Sequence, residues 1–261
     1  MLFEGEEVKI EAHVCNDTQV SSNGHTLRYE LIKDGVALMT GTSDANVVPN
    51  SSEMQGEITF NAPETKSRDI YTVRLALLDK DGNVLHYCDE AIEVFKKIEV
   101  KEKTAIVYDN YTEELEKEIV EAAQGGKTVI IENLGIGEHT INGKKIKVKA
   151  CGMRPLHFVS RKTGHSLVEG FGPYDFRLWY NAERDMITPI IRKTFVCDEM
   201  TPILTSGNCE SGSAWGKPLH KVFAAAEMPC GKGKIIVNML DVKSHMANPV
   251  AVEFANRLYT Y

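Results

Sequence analysis

The feature that most constrains this chain is a change of hydrophobic pattern near residues 97–103. Before it, apolar and polar residues alternate, as in residues 8–14 (VKIEAHV). A period of two turns one face of a strand inward and the other outward. After it, an apolar strand, a helical pattern and a second apolar strand follow one another within residues 104–131. The sequence therefore predicts two domains, over residues 1–97 and 103–261.

The first domain is predicted to be an antiparallel β-sandwich of the immunoglobulin-like type. Its short alternating segments are separated by turn signals, of which residues 79–83 (DKDGN) are the clearest, because Asp-Gly accepts positive φ at low cost. Regularly spaced short strands without a helical period are typical of such sandwiches. The Cys…Trp…Cys pattern of antibody domains is absent, so the prediction covers only the general architecture.

The second domain is predicted to be α/β. A helix opens after residues 110–112, carries glutamates in its first turns and ends at Gly125-Gly126. The apolar strands on either side of it imply a parallel pair that is buried on both faces. We expect a flavodoxin-like architecture, similar to glutamine-amidotransferase-like domains but poor in helices, with a closing helix that has Pro249 at its first position. Further strand candidates are 145–149, 187–196, 203–205, 222–226 and 234–240.

Composition excludes several classes of partner. The net charge is −7, so no basic field exists to attract a nucleic-acid backbone. The N-terminus has neither a cationic start nor a long apolar run, so we expect no signal peptide and no membrane span, and the compartment stays open between the cytoplasm and export. The alternation begins almost at once, as in a segment cut from a longer protein, although a native chain can also start this way.

The chain carries no recognisable cofactor or metal motif. No glycine-rich nucleotide loop follows a strand, and residues 231–234 (GKGK) favour a turn that enters a strand. The six cysteines lie more than four residues apart, and the histidines show no metal-ligand spacing, so we predict neither a metal nor a cofactor. The acidic residues form no assignable pair for glycoside hydrolysis.

Cys151 is the one candidate nucleophile. It follows a strand and precedes Gly152, which is where amidotransferase-like domains place a reactive cysteine. However, the Gly-x-Cys-x-Gly elbow is missing, no helical pattern follows to lower the pKa of the thiol, and no His-x-Glu pair occurs late in the chain. A catalytic Cys151 is therefore a distant alternative to a structural thiol.

An aromatic segment at residues 171–180 (FGPYDFRLWY) is the densest cluster of unusual residues. Flat aromatic faces beside an arginine suit contacts with sugars. The same residue types also pack a segment with few strands onto a sheet, and this second interpretation is favoured. The candidate carbohydrate contacts are Arg177, Trp179, Tyr180 and Trp215.

A resemblance rests on a series of short motifs in the second half of the chain. They are, in order, 151–161 (CGMRPLHFVSR), 163–165 (TGH), 175–180 (DFRLWY), 187–190 (ITPI), 202–208 (PILTSGN), 231–236 (GKGKII) and 248–251 (NPVA). The series resembles a recurring C-terminal segment of bacterial family 2 glycoside hydrolases. The first domain is similar to the sandwich that precedes this segment, starting at residues 3–6 (FEGE). No single motif is catalytic, so their shared order carries the resemblance.

The resemblance implies an accessory role. Family members cleave β-glycosides with retention, using two glutamates on a TIM barrel that precedes the matched segment. Such a barrel needs about 250 residues of alternating strand and helix, and this chain contains no such stretch, so no catalytic residue is carried over. The parent enzyme would act on β-galactosides, β-mannosides, β-glucuronides or related glycans.

Three functional hypotheses remain open. In the first, the chain is the noncatalytic C-terminal portion of such an enzyme, whose partners are the parent's sugar-binding and barrel domains, and it contributes packing, oligomerisation or a wall of the glycan site. In the second, it is a free-standing carbohydrate-binding or scaffolding protein. The third is the amidotransferase-like enzyme that uses Cys151.

Overall fold

The computed structural model describes residues 1–19, 21–150, 159–181, 183, 185–188, 193–206 and 222–261. The described chain falls into two units, Met1–Lys97 and Ile98–Tyr261. Among the described helices, none has the length and apolar character that a membrane span requires.

Two facing sheets form the first unit. Its described strands are β1 (Leu2–Phe3), β2 (Glu7–Asn16), β3 (Ser22–Lys33), β4 (Val36–Val47), β5 (Ser51–Asn61), β6 (Arg68–Leu78) and β7 (Val84–Phe95). One sheet has the order β1-β7-β6-β3-β4, and β2 pairs with β5 in the other. Alternate residues of both sheets share one apolar core, including Val14 of β2, Leu27 of β3, Ile58 of β5 and Val73 of β6. The predicted β-sandwich is confirmed.

The predicted turn at residues 79–83 joins β6 to β7. The backbone N–H of Asp79 donates to the carbonyl of Asn83 at 2.9 Å. The carboxylate of Asp79 accepts hydrogen bonds from the backbone of Asp81 and from the side chain and backbone of Asn83. Gly82 has a φ of 82°, a conformation that favours glycine. Hydrogen bonds of the Asp79 side chain and the positive φ of Gly82 therefore stabilise the turn of this hairpin.

A mixed sheet forms the second unit. Its described elements are β8 (Ile106–Tyr108), α1 (Glu116–Gln124), β9 (Thr128–Glu132), β10 (Gly137–Ile141), β11 (Lys144–Ala150), β12 (Tyr180–Asn181), β13 (Met186–Ile187), β14 (Lys193–Val196), β15 (Thr201–Thr205), β16 (Phe223–Cys230), β17 (Gly233–Asn238) and α2 (Pro249–Tyr259). The strand order is β10-β11-β14-β16-β17-β9-β8, β15 also pairs with β16, and β12 pairs with β13 separately. The β8-α1-β9 unit and its parallel pairing agree with the sequence pattern.

A flavodoxin-like second domain is not supported. Within the described residues, parallel pairing in this sheet joins only β8, β9 and β17, and the remaining pairs are antiparallel. A doubly wound fold needs parallel strands linked by crossover helices. Here two-residue turns reverse the chain instead: Asn142 and Gly143 have φ of 50° and 70° between β10 and β11, and Gly231 has a φ of 61° between β16 and β17.

The expected strand at 187–196 differs from the structure. This range covers Ile187, which is the last residue of β13, and the whole of β14. Residues 189–192 between them lie outside the described part of the chain. The other strand candidates overlap β11, β15, β16 and β17. The closing helix begins as predicted, because the Asn248 side chain accepts from the backbone of Val250 and Ala251, and Pro249 occupies the first turn.

We predict that Gly233→Ala destabilises the second unit by about 2–3 kcal/mol, because overpacking strains a close backbone approach. A Cβ at Gly233 would lie 2.2 Å from the carbonyl oxygen of Lys127 and 2.6 Å from that of Ala123. Urea unfolding followed by tryptophan fluorescence measures this unit, since both tryptophans belong to it.

Gly125→Ala is the matched control for Gly233→Ala. Gly125 has a φ of −72°, and the atoms nearest to an added Cβ are the carbonyl oxygens of Ala122 and Glu121, each 3.4 Å away. We expect a change within about 1 kcal/mol. Equal losses in the two variants would contradict the close packing of β17 on the end of α1.

Candidate functional site

The carboxyl ends of β8, β9 and β17 form the edge at which open α/β sheets place their ligands. Asp109 directly follows β8, Glu132 ends β9 and Asn238 ends β17. The side chain of Asn238 is buried and bonds locally to Leu240, accepting from its N–H at 3.2 Å and donating to its carbonyl at 3.3 Å. The two carboxylates are therefore the groups of this edge to examine.

Four side chains meet there in one polar network, which we call the Glu132 cluster: Asp109, Glu132, Lys243 and Tyr259. Glu132 is only 6% exposed, and its Oε1 accepts a hydrogen bond from the Tyr259 hydroxyl at 2.5 Å. Its Oε2 lies 3.0 Å from Nζ of Lys243. The same ammonium also pairs with Asp109. The two carboxylates thus share one ammonium, and Glu132 alone also accepts from the phenol.

The electrostatics of the Glu132 cluster keep its partners paired. Burial raises the pKa of Tyr259, and the Glu132 carboxylate raises it further. Burial alone would lower the pKa of Lys243, but hydrogen bonds and charges from Asp109 and Glu132 outweigh this and raise it. The hydrogen bond from Lys243 lowers the pKa of Asp109. At neutral pH these shifts keep the phenol of Tyr259 protonated and the ammonium of Lys243 charged.

Lys193 lies beside this edge. Its Nζ donates to the side-chain oxygen of Asn133 and, at 3.1 Å, to the carbonyl oxygen of Leu134. Burial lowers the pKa of Lys193. Both acceptors belong to the turn that follows β9, in which Asn133 has a φ of 58°. Lys193, the first residue of β14, therefore links this turn to that strand.

The described residues bring together no group of three or more His, Cys, Asp or Glu side chains that could hold a metal ion. The Glu132 cluster itself supplies two carboxylates and an ammonium, and the ammonium occupies the place between them. Its chemistry is that of an ion-pair network.

The predicted carbohydrate contacts occupy different environments. Trp179 is fully buried, and its Nε1 donates to the carbonyl oxygen of Asp175 at 2.7 Å. Its ring lies 5.9 Å from that of Phe176 and 5.6 Å from that of His245. A sugar could reach this indole only if the surrounding core opened, so Trp179 packs the segment onto the unit and takes no part in the site proposed below.

Two of the other predicted contacts are accessible. Tyr180 is 56% exposed, and its hydroxyl donates to Asp185 at 2.8 Å. The guanidinium of Arg177 is half-buried and lies 5.5 Å from the centre of the Tyr174 ring. The structure therefore pairs Arg177 with Tyr174 rather than with Trp179. Trp215 lies outside the described residues.

The cysteines divide into two environments. Cys15 and Cys88 are free and exposed, whereas Cys197 and Cys230 are free and buried. Burial raises the pKa of both buried thiols, which disfavours the thiolate that nucleophilic catalysis requires. Cys151 lies outside the described residues, so its role as a nucleophile stays a prediction.

Comparisons with known proteins give no family. No family model matches the chain, and no curated protein matches it. Among solved structures, a β-galactosidase from Rahnella sp. R3 matches at 16% identity with a TM-score of 0.35, over 61% of this chain and 24% of that one. A β-glucuronidase from Bacteroides uniformis matches at 15% identity with a TM-score of 0.30, over 51% of this chain and 19% of that one.

A third match covers almost the whole chain. A cycloisomaltooligosaccharide glucanotransferase from Paenibacillus sp. matches at 11% identity with a TM-score of 0.29, over 98% of this chain and 25% of that one. This chain thus spans a quarter or less of the length of these three proteins. Their names include the glycoside-hydrolase classes of the sequence resemblance, but at these TM-scores they establish neither a common fold nor a function.

The Glu132 cluster was not predicted from the sequence. Half of it could have been found, because Asp109 and Glu132 stand at the carboxyl ends of the two strands in the predicted β-α-β unit. Lys243 and Tyr259 carry no local signal, since their partners lie more than a hundred residues away in sequence.

We predict that Tyr259→Phe lowers the free energy of unfolding of the second unit by about 1.5–3 kcal/mol, because a buried hydrogen bond to a charged group is lost. Tyr180→Phe is the matched control, since it removes an exposed phenol–carboxylate hydrogen bond of similar length. We expect the control to change stability by less than about 0.5 kcal/mol. Equal losses in urea unfolding would show that the Glu132–Tyr259 contact contributes nothing special.

We predict that Cys15 and Cys88 react with a disulfide reagent well before Cys197 and Cys230 do. The first pair is exposed, and burial both shields the second pair and raises its thiol pKa. Timed labelling of the native protein at pH 7, followed by peptide mass spectrometry, resolves each cysteine. Labelling of Cys197 or Cys230 as fast as Cys15 would contradict the buried placement. The same experiment reports the reactivity of Cys151.

Proposed function

We propose that this chain is a noncatalytic accessory region of a family 2-type β-glycosidase, an enzyme that hydrolyses O-glycosidic bonds. In this proposal the sandwich is of the immunoglobulin-like type, and the mixed sheet packs beside a catalytic barrel that this chain does not contain. The ordered motifs of residues 151–251 support the assignment to that enzyme class. The partners are the sugar-binding and barrel domains of the parent enzyme.

The mutual pairing within the Glu132 cluster is the observation that carries the noncatalytic part of the proposal. An α/β unit of this kind would place reactive groups at the carboxyl ends of β8 and β9. There the two carboxylates both pair with Lys243, and the phenol of Tyr259 is held protonated. Groups paired in this way stabilise the fold, and we assign them no part in glycoside cleavage.

Surface residues favour the second candidate, a free-standing carbohydrate-binding or scaffolding protein. Tyr180 presents an aromatic ring to solvent, and Arg177 lies nearby in sequence with its guanidinium on Tyr174. These are residue types that sugar sites use. Binding without turnover fits both candidates, and the parent gene distinguishes them, because only the accessory role requires a barrel sequence in the same reading frame.

We predict that the chain alone does not hydrolyse the nitrophenyl β-galactoside, β-mannoside or β-glucuronide. The expected result is nitrophenol release equal to that of the buffer, because the two carboxylates at the sheet edge are both paired with Lys243. Glu132→Gln, purified in the same way, is the matched control. Turnover by the wild-type chain that disappears in Glu132→Gln would refute the noncatalytic role.

A further inference from the structure

A second polar region lies outside the Glu132 cluster, where α2 ends beside the short 3-10 turn at Ser166–Val168. An open cavity of about 520 Å³ forms there. We call it the Arg257 cavity, and its lining residues are Ser166, Leu167, Glu169, Arg257, Thr260 and Tyr261. None of the functions considered above uses these residues.

Arg257 is held in place by three contacts. Its Nε donates to Glu253 at 2.8 Å, its Nη1 donates to the carbonyl oxygen of Glu169 at 2.6 Å, and its guanidinium carbon lies 4.5 Å from the centre of the Phe171 ring. A guanidinium has five N–H donors in a fixed plane. The two hydrogen bonds leave donors that have no partner within the described part of the chain. Arg257 therefore lines the cavity with N–H donors to spare.

Acceptors line the same cavity. The carboxylate of Glu169 is exposed and forms no ion pair with another described residue. The hydroxyl of Thr260 donates to the carbonyl oxygen of Asn256 at 2.7 Å, which leaves its lone pairs able to accept. Ser166 adds a second hydroxyl. One cationic donor and one anionic acceptor in a single cavity favour a neutral ligand whose groups both donate and accept, as sugar hydroxyls do.

Tyr261 contributes an aromatic side chain whose position is also fixed. Nζ of Lys234 lies 3.7 Å from the centre of its ring, and the His165 ring meets it edge-on at 5.7 Å. Lys234 and His165 are joined through Glu227, which lies 3.2 Å from the ammonium and 3.3 Å from the imidazole. The ammonium covers one face of the ring, and the rest of the ring offers apolar surface to the C–H groups of a pyranose in the cavity.

His165 connects this support to the wall of the cavity. Its Nδ1 accepts a hydrogen bond from the backbone N–H of Leu167 at 3.2 Å, so the ring proton lies on Nε2, which donates to Glu227. The side chain of His165 is 6% exposed. The turn that carries Ser166 and the ring of Tyr261 are thus positioned by one buried chain of contacts. A site that is already ordered loses less entropy on binding.

We infer that the Arg257 cavity binds a neutral pyranose unit, with Arg257 and Glu169 sharing its hydroxyls and Tyr261 contacting its C–H groups. The ligand class follows from the lining residues, and the inference goes beyond the proposed accessory role. Binding is measured here without turnover, so the binding site and the noncatalytic role can each fail while the other stands.

The test is a titration of the full chain with methyl β-D-galactoside, methyl β-D-mannoside and methyl β-D-glucoside, followed by isothermal calorimetry and saturation-transfer NMR. We expect saturable binding of at least one of these sugars, with a Kd on the order of millimolar, as suits a small open site. Arg257→Lys and Glu169→Gln should each weaken it about tenfold or more, which is the loss of one charge-assisted hydrogen bond. Glu169→Gln changes an exposed side chain, so it preserves the fold if Arg257→Lys does not.

Arg74→Lys is the matched control. Arg74 also combines a carboxylate pair, with Asp89 at 2.7 Å, and an aromatic neighbour, Tyr87 at 4.8 Å, but it lies in the first unit. It should leave sugar affinity unchanged. The inference is overturned if none of the three glycosides binds saturably, or if Arg257→Lys and Glu169→Gln bind as the wild type does. Tighter binding of methyl β-D-glucuronide than of every neutral glycoside would also overturn the neutral ligand class.

Discussion

The second unit depends on the pairing of one buried carboxylate, that of Glu132 at the end of β9, with Tyr259 and Lys243. Removing Glu132 from water costs several kcal/mol unless it is paired and hydrogen-bonded. The phenol of Tyr259 and the ammonium of Lys243 supply those partners. Both come from segments that follow β17, so satisfying this one charge sets where the closing helix lies against the sheet. The cost of burying Glu132 makes the arrangement specific, because a displaced helix would leave the carboxylate unpaired.

Much of the fold was predictable, because the spacing of apolar residues along a strand or helix indicates which of its faces is buried. The alternation of apolar and polar residues in the first unit predicted the sandwich. The strand–helix–strand pattern of β8, α1 and β9 predicted that the two strands pair in parallel. The rest of the second sheet was not predicted, because strand direction depends on the connections. Asn142-Gly143 is also a two-residue hairpin signal, and it makes β10 and β11 antiparallel. Reading it would have argued against a flavodoxin-like sheet.

The functional residues were harder to predict, because residue type does not determine burial. The aromatic and basic residues that suggest a sugar site also fill cores, and Trp179 belongs to the core. Conversely, Arg257 and Tyr261 showed no motif, and only the packing of α2 beside the turn at Ser166–Val168 makes them neighbours of a cavity. The neighbours of these side chains are therefore set by tertiary packing and are not visible in the local sequence.

We conclude that the charged groups at the sheet edge act as structural partners of one another. A double-mutant cycle with Glu132→Gln and Lys243→Met, measured by urea unfolding, tests this claim most directly. We expect each single variant to be destabilised and the double variant to lose less than the sum, with a coupling of about 1–3 kcal/mol. Additive losses within about 0.5 kcal/mol would contradict the account, because groups that do not stabilise each other would be available for another role.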